Sequence, residues 1–112
     1  MNYGEIYWVS LPDRGGREQR GRRPAVIWQD MQAFPLPTIV IIPLTGQAKA
    51  MRFDGFLTID PTPANGLASS SVALVFQLGS CDARRFEGRI GQLDDIDLIR
   101  MQDLAKKLQK LG

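Results

Sequence analysis

The 112-residue sequence has no histidine and a single cysteine, Cys81. Without histidine it lacks the commonest metal ligand and the commonest general base of neutral pH together. One cysteine excludes an intrachain disulfide and a cysteine-rich zinc site, and fits a reducing compartment. Long apolar runs are also missing. The longest, around Thr38–Leu44 (TIVIIPL), falls far short of the roughly 20 residues of a membrane-spanning helix. The opening MNYGEIYWVS has no basic segment followed by an apolar core, so it does not read as a secretory signal. Nor is there a large excess of one charge: 14 Lys and Arg face 12 Asp and Glu, a net +2. That is too little to imply a nucleic-acid partner by itself. Any catalysis must therefore run on arginine, carboxylates and hydroxyls.

The composition that remains, 44% hydrophobic and 23% charged, is that of a folded chain, and the length suits one domain over residues 1–112. Charge is unevenly spread. Arg14, Arg17, Arg20, Arg22 and Arg23 stand against Glu18 alone in residues 14–23, a local cationic patch able to steer an anion to one place. Strand-like runs come first: Glu5–Leu11, Pro24–Gln29, Thr38–Leu44, Phe53–Ile59, Ser71–Leu78 and a short Phe86–Ile90. They are rich in branched and aromatic residues and separated by Gly, Pro and polar segments. Thr38–Leu44 is apolar enough to be buried on both faces, and Pro43 within it indicates a bulge or strand end. Asp60–Ser70 reads as a surface connection. Only the last segment is helical, with Asp94 placed to cap and Leu98, Met101, Ala105 and Leu108 at helical spacing. Lys106, Lys107 and Lys110 suit its C-terminal end. Short strands followed by one terminal helix predict a small β-barrel.

The segment Gly16–Pro24 (GREQRGRRP) concentrates the candidate chemistry. Glycines let backbone approach a ligand closely, and arginines offer planar forks of donors that match phosphate oxygens. Among those cations Glu18 stays ionised. Two readings stand at this point: an anion-binding loop, or a solvated basic loop in which Glu18 makes a structural ion pair.

Residues 4–27, GEIYWVSLPDRGGREQRGRRPAVI, resemble the opening of the MazF/PemK toxins. The resemblance is carried by Gly4, Glu5, Ile6, Trp8 and Val9, then Gly16, Glu18, Gln19, Gly21, Arg23, Pro24, Ala25 and Val26, without a gap. It continues through Pro43-Leu44-Thr45-Gly46-Gln47, which is similar to the family's Pro-x-Thr-x-Gln step. Further on, Gln77 and Asp82, Arg84-Arg85, Gly91 and Leu93 also fit. One departure is plain: the family often has arginine and threonine after that glutamine, whereas here Gly79 and Ser80 follow Leu78. Loss of the arginine bears on which RNA is read, on dimer packing or on activity.

The resemblance implies an SH3-like β-barrel with a C-terminal helix, acting as a cytoplasmic, sequence-selective endoribonuclease on single-stranded RNA. A ribose 2′-OH attacks its own phosphate, leaving 2′,3′-cyclic phosphate and 5′-OH ends, with no cofactor. It implies catalytic roles for Arg23, Thr45 and Glu18: Arg23 stabilising the phosphorane, Thr45 bonding a phosphate oxygen, and Glu18 as base or as the group orienting Arg23. Arg14, Arg17, Gln19, Arg20, Arg22, Gln47 and Gln77 are the expected RNA contacts. The implied partners are a second copy of the chain in a homodimer and a cognate antitoxin with an acidic tail; no membrane is involved. Trp8 and Trp28, in apolar strands, read as core. Two other functions suit the same fold: a CcdB-like protein-binding gyrase poison, and a non-catalytic RNA-binding module. Because the chain is so poor in metal ligands, RNA cleavage by the pure protein is expected to proceed undiminished in EDTA. Activity abolished by chelation and restored by a divalent ion would contradict it.

Overall fold

Branched and aromatic side chains lose rotamer freedom in a helix but pack well on a pleated surface. The chain accordingly opens in strands. The computed structural model describes residues 1–11, 21–31, 37–46 and 57–111. In these segments β1 (Glu5–Leu11), β2 (Gly21–Ile27), β3 (Thr38–Thr45), β4 (Leu57–Ile59), β5 (Ser71–Ala73), β6 (Gly79–Asp82) and β7 (Phe86–Gln92) precede one helix, α1 (Asp95–Leu111). The strands pair antiparallel in the order β4-β5-β3-β2-β1-β7, with β6 also on β3. This is the mainly β, barrel-like architecture with a C-terminal helix expected from the sequence. The described pairings leave β4 and β7 as ends, so the barrel is not closed by them.

The sheet is buried on both faces, which explains the near-continuous apolar runs. Ile6, Val26, Ile42 and Leu44 fill one core with Met101 and Ala105 of α1. Val9, Ala25, Ile27, Ile39 and Ile41 fill a second with Cys81, flanked by Tyr7, Leu11, Met31 and Phe86. The period-2 alternation of side chains assigns each residue to its core.

Several boundaries differ from the sequence reading, and β3 runs one residue further, to Thr45. β2 begins at Gly21 rather than Pro24 and ends at Ile27. Pro24 is tolerated inside it because the ladder to β3 engages only Ala25, Val26 and Ile27. Beyond Ile27 the Gln29 side chain takes over a backbone role, its Oε1 accepting from Val40 N at 3.0 Å. The predicted strand Ser71–Leu78 breaks after Ala73 into a single 3₁₀ turn at Val75–Gln77, and β6 follows, which the sequence did not announce. Both β5 and β6 run along β3, paired at Leu44↔Ala73 and Ile41↔Gly79. Three more residues lie between them than on β3 opposite, and the 3₁₀ turn takes up the excess as a large bulge. Pro43 sits at that switch of partners, where its missing N–H costs no ladder bond; its carbonyl accepts from Leu74 N at 2.9 Å. β7 extends to Gln92, two residues beyond the reading. Of the predicted strand Phe53–Ile59, only Leu57–Ile59 lies in the described residues.

The connection Asp60–Ser70 is exposed at most positions but carries a buried clasp. Asn65 is fully buried; its Oδ1 accepts from Thr62 N and Leu67 N, both at 3.0 Å, and its Nδ2 donates to the Asp60 carbonyl at 2.9 Å. Gln92 N donates to the Ala64 carbonyl at 2.9 Å, fastening the loop to β7. The Asp94 carbonyl starts α1 by accepting from Asp97 N and Leu98 N, while its carboxylate accepts from the Thr62 hydroxyl at 2.6 Å. Contact between loop and strand is backbone to backbone. A Cβ on Gly66, whose φ is +68°, would stand 2.3 Å from the Ile90 carbonyl oxygen, and one on Gly91 would stand 2.4 Å from that of Asn65. Gly66→Ala and Gly91→Ala are each expected to cost about 2–3 kcal/mol, read as a lowered urea midpoint. An unchanged midpoint for either would contradict this packing.

Candidate functional site

Arg23 lies in β2, half-buried, with Val9 of β1 as its partner. Thr45 closes β3, 4% exposed, with Val72 of β5 as its partner. β2 and β3 pair in a constant register through Ile27↔Ile41, Val26↔Ile42 and Ala25↔Pro43. The ladder ends at Ala25↔Pro43; carried two residues further, the same register would bring Arg23 opposite Thr45. Residues facing each other across an antiparallel pair share one side of the sheet. On that extension Arg23, half-buried, and Thr45, nearly buried, stand on one side of the sheet where β3 ends, and Arg23 follows directly on the arginine-rich segment. Gln77 closes the 3₁₀ turn beside the other edge of β3, half-buried. Glu18, Arg14, Arg17, Gln19, Arg20 and Gln47 lie outside the described residues.

Arg22 belongs to the opposite face of β2. Its guanidinium carbon lies 4.1 Å from the centroid of the Trp8 ring, a cation–π contact, and its Nε donates to Glu87 Oε1 at 2.9 Å. Across β1 from Trp8, beside Tyr7, Arg89 of β7 donates to Glu5, a carboxylate only 6% exposed that also accepts from the Asn2 backbone N–H. Burial pushes the Glu5 carboxyl up, but the hydrogen bonds from Arg89 and Asn2 and the charge of Arg89 outweigh it and hold the pKa below its ordinary value. Beside Trp8 opens a cavity of about 390 Å³ lined by Trp8, Pro24, Gly46, Leu67, Ser71 and Arg89, among others. Trp8 is therefore not simply a core residue. Its signal in the sequence was weak, because Arg22 and Trp8 are distant in sequence and become neighbours only through the hairpin register. Arg89 and Glu87 give no sequence signal beyond alternating charges on a strand.

Other arginines are held in place nearby. Arg85 Nη1 donates to the Ser10 carbonyl at 3.3 Å, at the end of β1 where Ser10 faces Arg22. The Asp82 carboxylate accepts from the Arg84 side chain at 3.0 and 3.2 Å and from its backbone N–H at 2.9 Å. These bonds drop the Asp82 pKa to about 2. Among the described residues, no group of three or more Cys, Asp or Glu is placed to hold a metal ion, and no helix is long and apolar enough to cross a membrane.

The geometry can be set beside known proteins. The family model described as PemK-like, MazF-like toxin of type II toxin–antitoxin system matches residues 2–111. Endoribonuclease EndoA of Bacillus subtilis strain 168 is 30% identical over 93 residues, covering 82% of this chain and 79% of that protein. The crystal structure of MazF from Deinococcus radiodurans superposes with a TM-score of 0.81 at 23% identity, over 98% of this chain and 96% of that one. A MazE–MazF structure from the same organism superposes at 0.73 and 21% identity, over 100% of this chain and 97% of that one. At those identities the two structures speak to the fold, which they share with this chain throughout. The match of the family model over nearly every residue, together with the EndoA relationship, gives the chain its place: it belongs to the PemK-like, MazF-like toxins of type II toxin–antitoxin systems.

Proposed function

We propose that the chain is a metal-independent, sequence-selective endoribonuclease that cuts single-stranded RNA at the face shared by Arg23 and Thr45. It is a toxin endoribonuclease by family and by relationship to EndoA. The observation that supports the site is the β2–β3 register through Ala25↔Pro43, which, carried two residues further, would bring Arg23 opposite Thr45 at one end of the sheet. The ribose 2′-OH attacks the adjacent phosphorus; the P–O5′ bond breaks, leaving a 2′,3′-cyclic phosphate and a 5′-OH. The protein must take the 2′-OH proton, stabilise the phosphorane and return a proton to the leaving oxygen. Arg23, a cation at any working pH, suits phosphorane stabilisation. Thr45 suits a hydrogen bond to a non-bridging oxygen. Glu18 is the candidate base or the orienter of Arg23, and the remaining arginines of residues 14–22 hold the RNA backbone together with Gln19, Gln47 and Gln77.

The same cationic surface suits the acidic tail of a cognate antitoxin, which would compete with RNA for phosphate-binding groups. The solved MazE–MazF complex supports a partner of this kind. The proposed working form is a cytoplasmic homodimer. Light scattering at micromolar concentration is expected to give twice the monomer mass; the monomer mass there would contradict it.

The residue roles are separable by kinetics. Arg23→Ala is expected to lower the cleavage rate at saturating RNA by about 10²–10³, equivalent to about 2.7–4 kcal/mol of transition-state stabilisation. Because Thr45 is nearly buried, the informative change is Thr45→Val, which keeps the shape and removes the hydroxyl. It is expected to cost about 1–2 kcal/mol, roughly tenfold in rate. Arg14→Ala is expected to weaken RNA binding and flatten its salt dependence while leaving the saturated rate intact. An Arg23→Ala protein that cuts at the parental rate at saturation would reduce Arg23 to a backbone clamp and overturn the assignment.

A further inference from the structure

The cavity beside Trp8 lies on the reverse side of β2 from Arg23 and has no role in the cleavage chemistry above. Its walls are specific. Ile6, two residues before Trp8 on the same side of β1, is fully buried, whereas Trp8 is only partly covered and lines the cavity. Arg22 stacks on the indole at 4.1 Å and is itself held by Glu87, so the ring is fixed in orientation. Pro24 adds a flat, rigid surface. At Gly46 a Cβ would meet no atom of the described residues within 4 Å. Polar groups stand around the rim: the Ser71 hydroxyl, which donates to the Ser69 carbonyl at 3.3 Å, and the Ser69 hydroxyl.

An aromatic wall with an arginine stacked on it, plus two hydroxyls, is the chemistry that receives a splayed-out nucleobase. Position supplies the second argument. Pro24 follows Arg23 and Gly46 follows Thr45, so the cavity begins one residue from each proposed catalytic side chain. It lies where β3 ends.

We propose that this cavity is a base-reading subsite that takes one unstacked base of the RNA next to the cleaved phosphate, stacked on Trp8 and hydrogen-bonded along its edge by Ser69 and Ser71. The proposal rests on the endoribonuclease reading. It assigns to Trp8 and Arg22 a part in selecting sequence, not in the chemical step. Arg22 braces the indole, and Trp8 carries the stack.

The test uses the full chain and a long natural RNA, with every new 5′-OH end mapped by sequencing. The parent protein defines a cleavage motif. Trp8→Leu keeps an apolar side chain and removes the aromatic face; it is expected to cut still, with base preference relaxed at one motif position. Its affinity for an oligonucleotide spanning the parental site, blocked by 2′-O-methylation at the reacting ribose, is expected to fall about 5- to 150-fold, as ~1–3 kcal/mol of stacking implies. Trp8→Phe is expected to restore both motif and affinity. A second measurement leaves Trp8 untouched: in Trp28→Phe protein, where Trp8 is the only indole, the same oligonucleotide is expected to quench the fluorescence. An unchanged motif and affinity in Trp8→Leu, or absence of quenching, overturns the subsite while leaving the endoribonuclease reading intact. A parent protein that cuts no RNA overturns both. If Trp8→Leu does not fold, the quenching result decides.

Discussion

β3 is hydrogen-bonded along both edges and buried on both faces, and its register fixes the rest of the molecule. β2 lies on one edge through Ala25, Val26 and Ile27. β6 and β5 share the other, with Pro43 at the change of partner. A slip of one residue would move Ile39 and Ile41 out of one core and Ile42 and Leu44 out of the other, exchanging every contact they make. So much apolar surface opposes that slip that the strand ends are held firmly. Thr45, the last residue of β3, inherits its position from this constraint, and so does Arg23 on the same register carried two residues further.

Several of the described arginines are held in place by partners. Arg22 is tied to Glu87 and Trp8, Arg89 to Glu5, Arg84 to Asp82, and Arg85 to the Ser10 carbonyl. Pairs as exposed as these add little to stability. Their effect is to orient guanidinium groups before a ligand arrives, which lowers the cost of ordering them on binding. Glu5 is the exception in depth: a nearly buried carboxylate that joins the chain's N-terminal residues, β1 and β7. The family pattern that places an acid after Gly4 thus has a structural role here as well.

Much of this was legible in the sequence. Alternating and continuous apolar patterns marked β1, β3 and the helix, because burial on one or two faces dictates those patterns directly. The segment GREQRGRRP and the Pro-x-Thr step pointed to Arg23 and Thr45 as candidates, and their catalytic roles stand as proposals. What stayed hidden depended on contacts between distant residues. The break of Ser71–Leu78 follows from β3 having fewer residues than the chain that pairs with it, which no local propensity reports. The four-residue β6, Gly-Ser-Cys-Asp, has little strand character of its own and exists because Ile39 and Val40 lie beside it. Asn65-Gly66 reads as an ordinary surface turn, yet Asn65 is buried and Gly66 abuts β7. Trp8 looked like core because its stack with Arg22 and the space beside it require the hairpin register and the end of β3 together.

The central claim is that Arg23 and Thr45 act on one phosphate because the β2–β3 register, carried two residues beyond Ala25↔Pro43, brings them opposite each other. A double-mutant cycle on the single-turnover cleavage rate at saturating RNA tests it most directly, with Arg23→Ala, Thr45→Val and the pair combined. Groups that act as a unit on one transition state are not additive. The doubly substituted protein is therefore expected to lose clearly less than the product of the two single losses. Losses that simply multiply would place the two side chains at independent tasks and contradict the shared site.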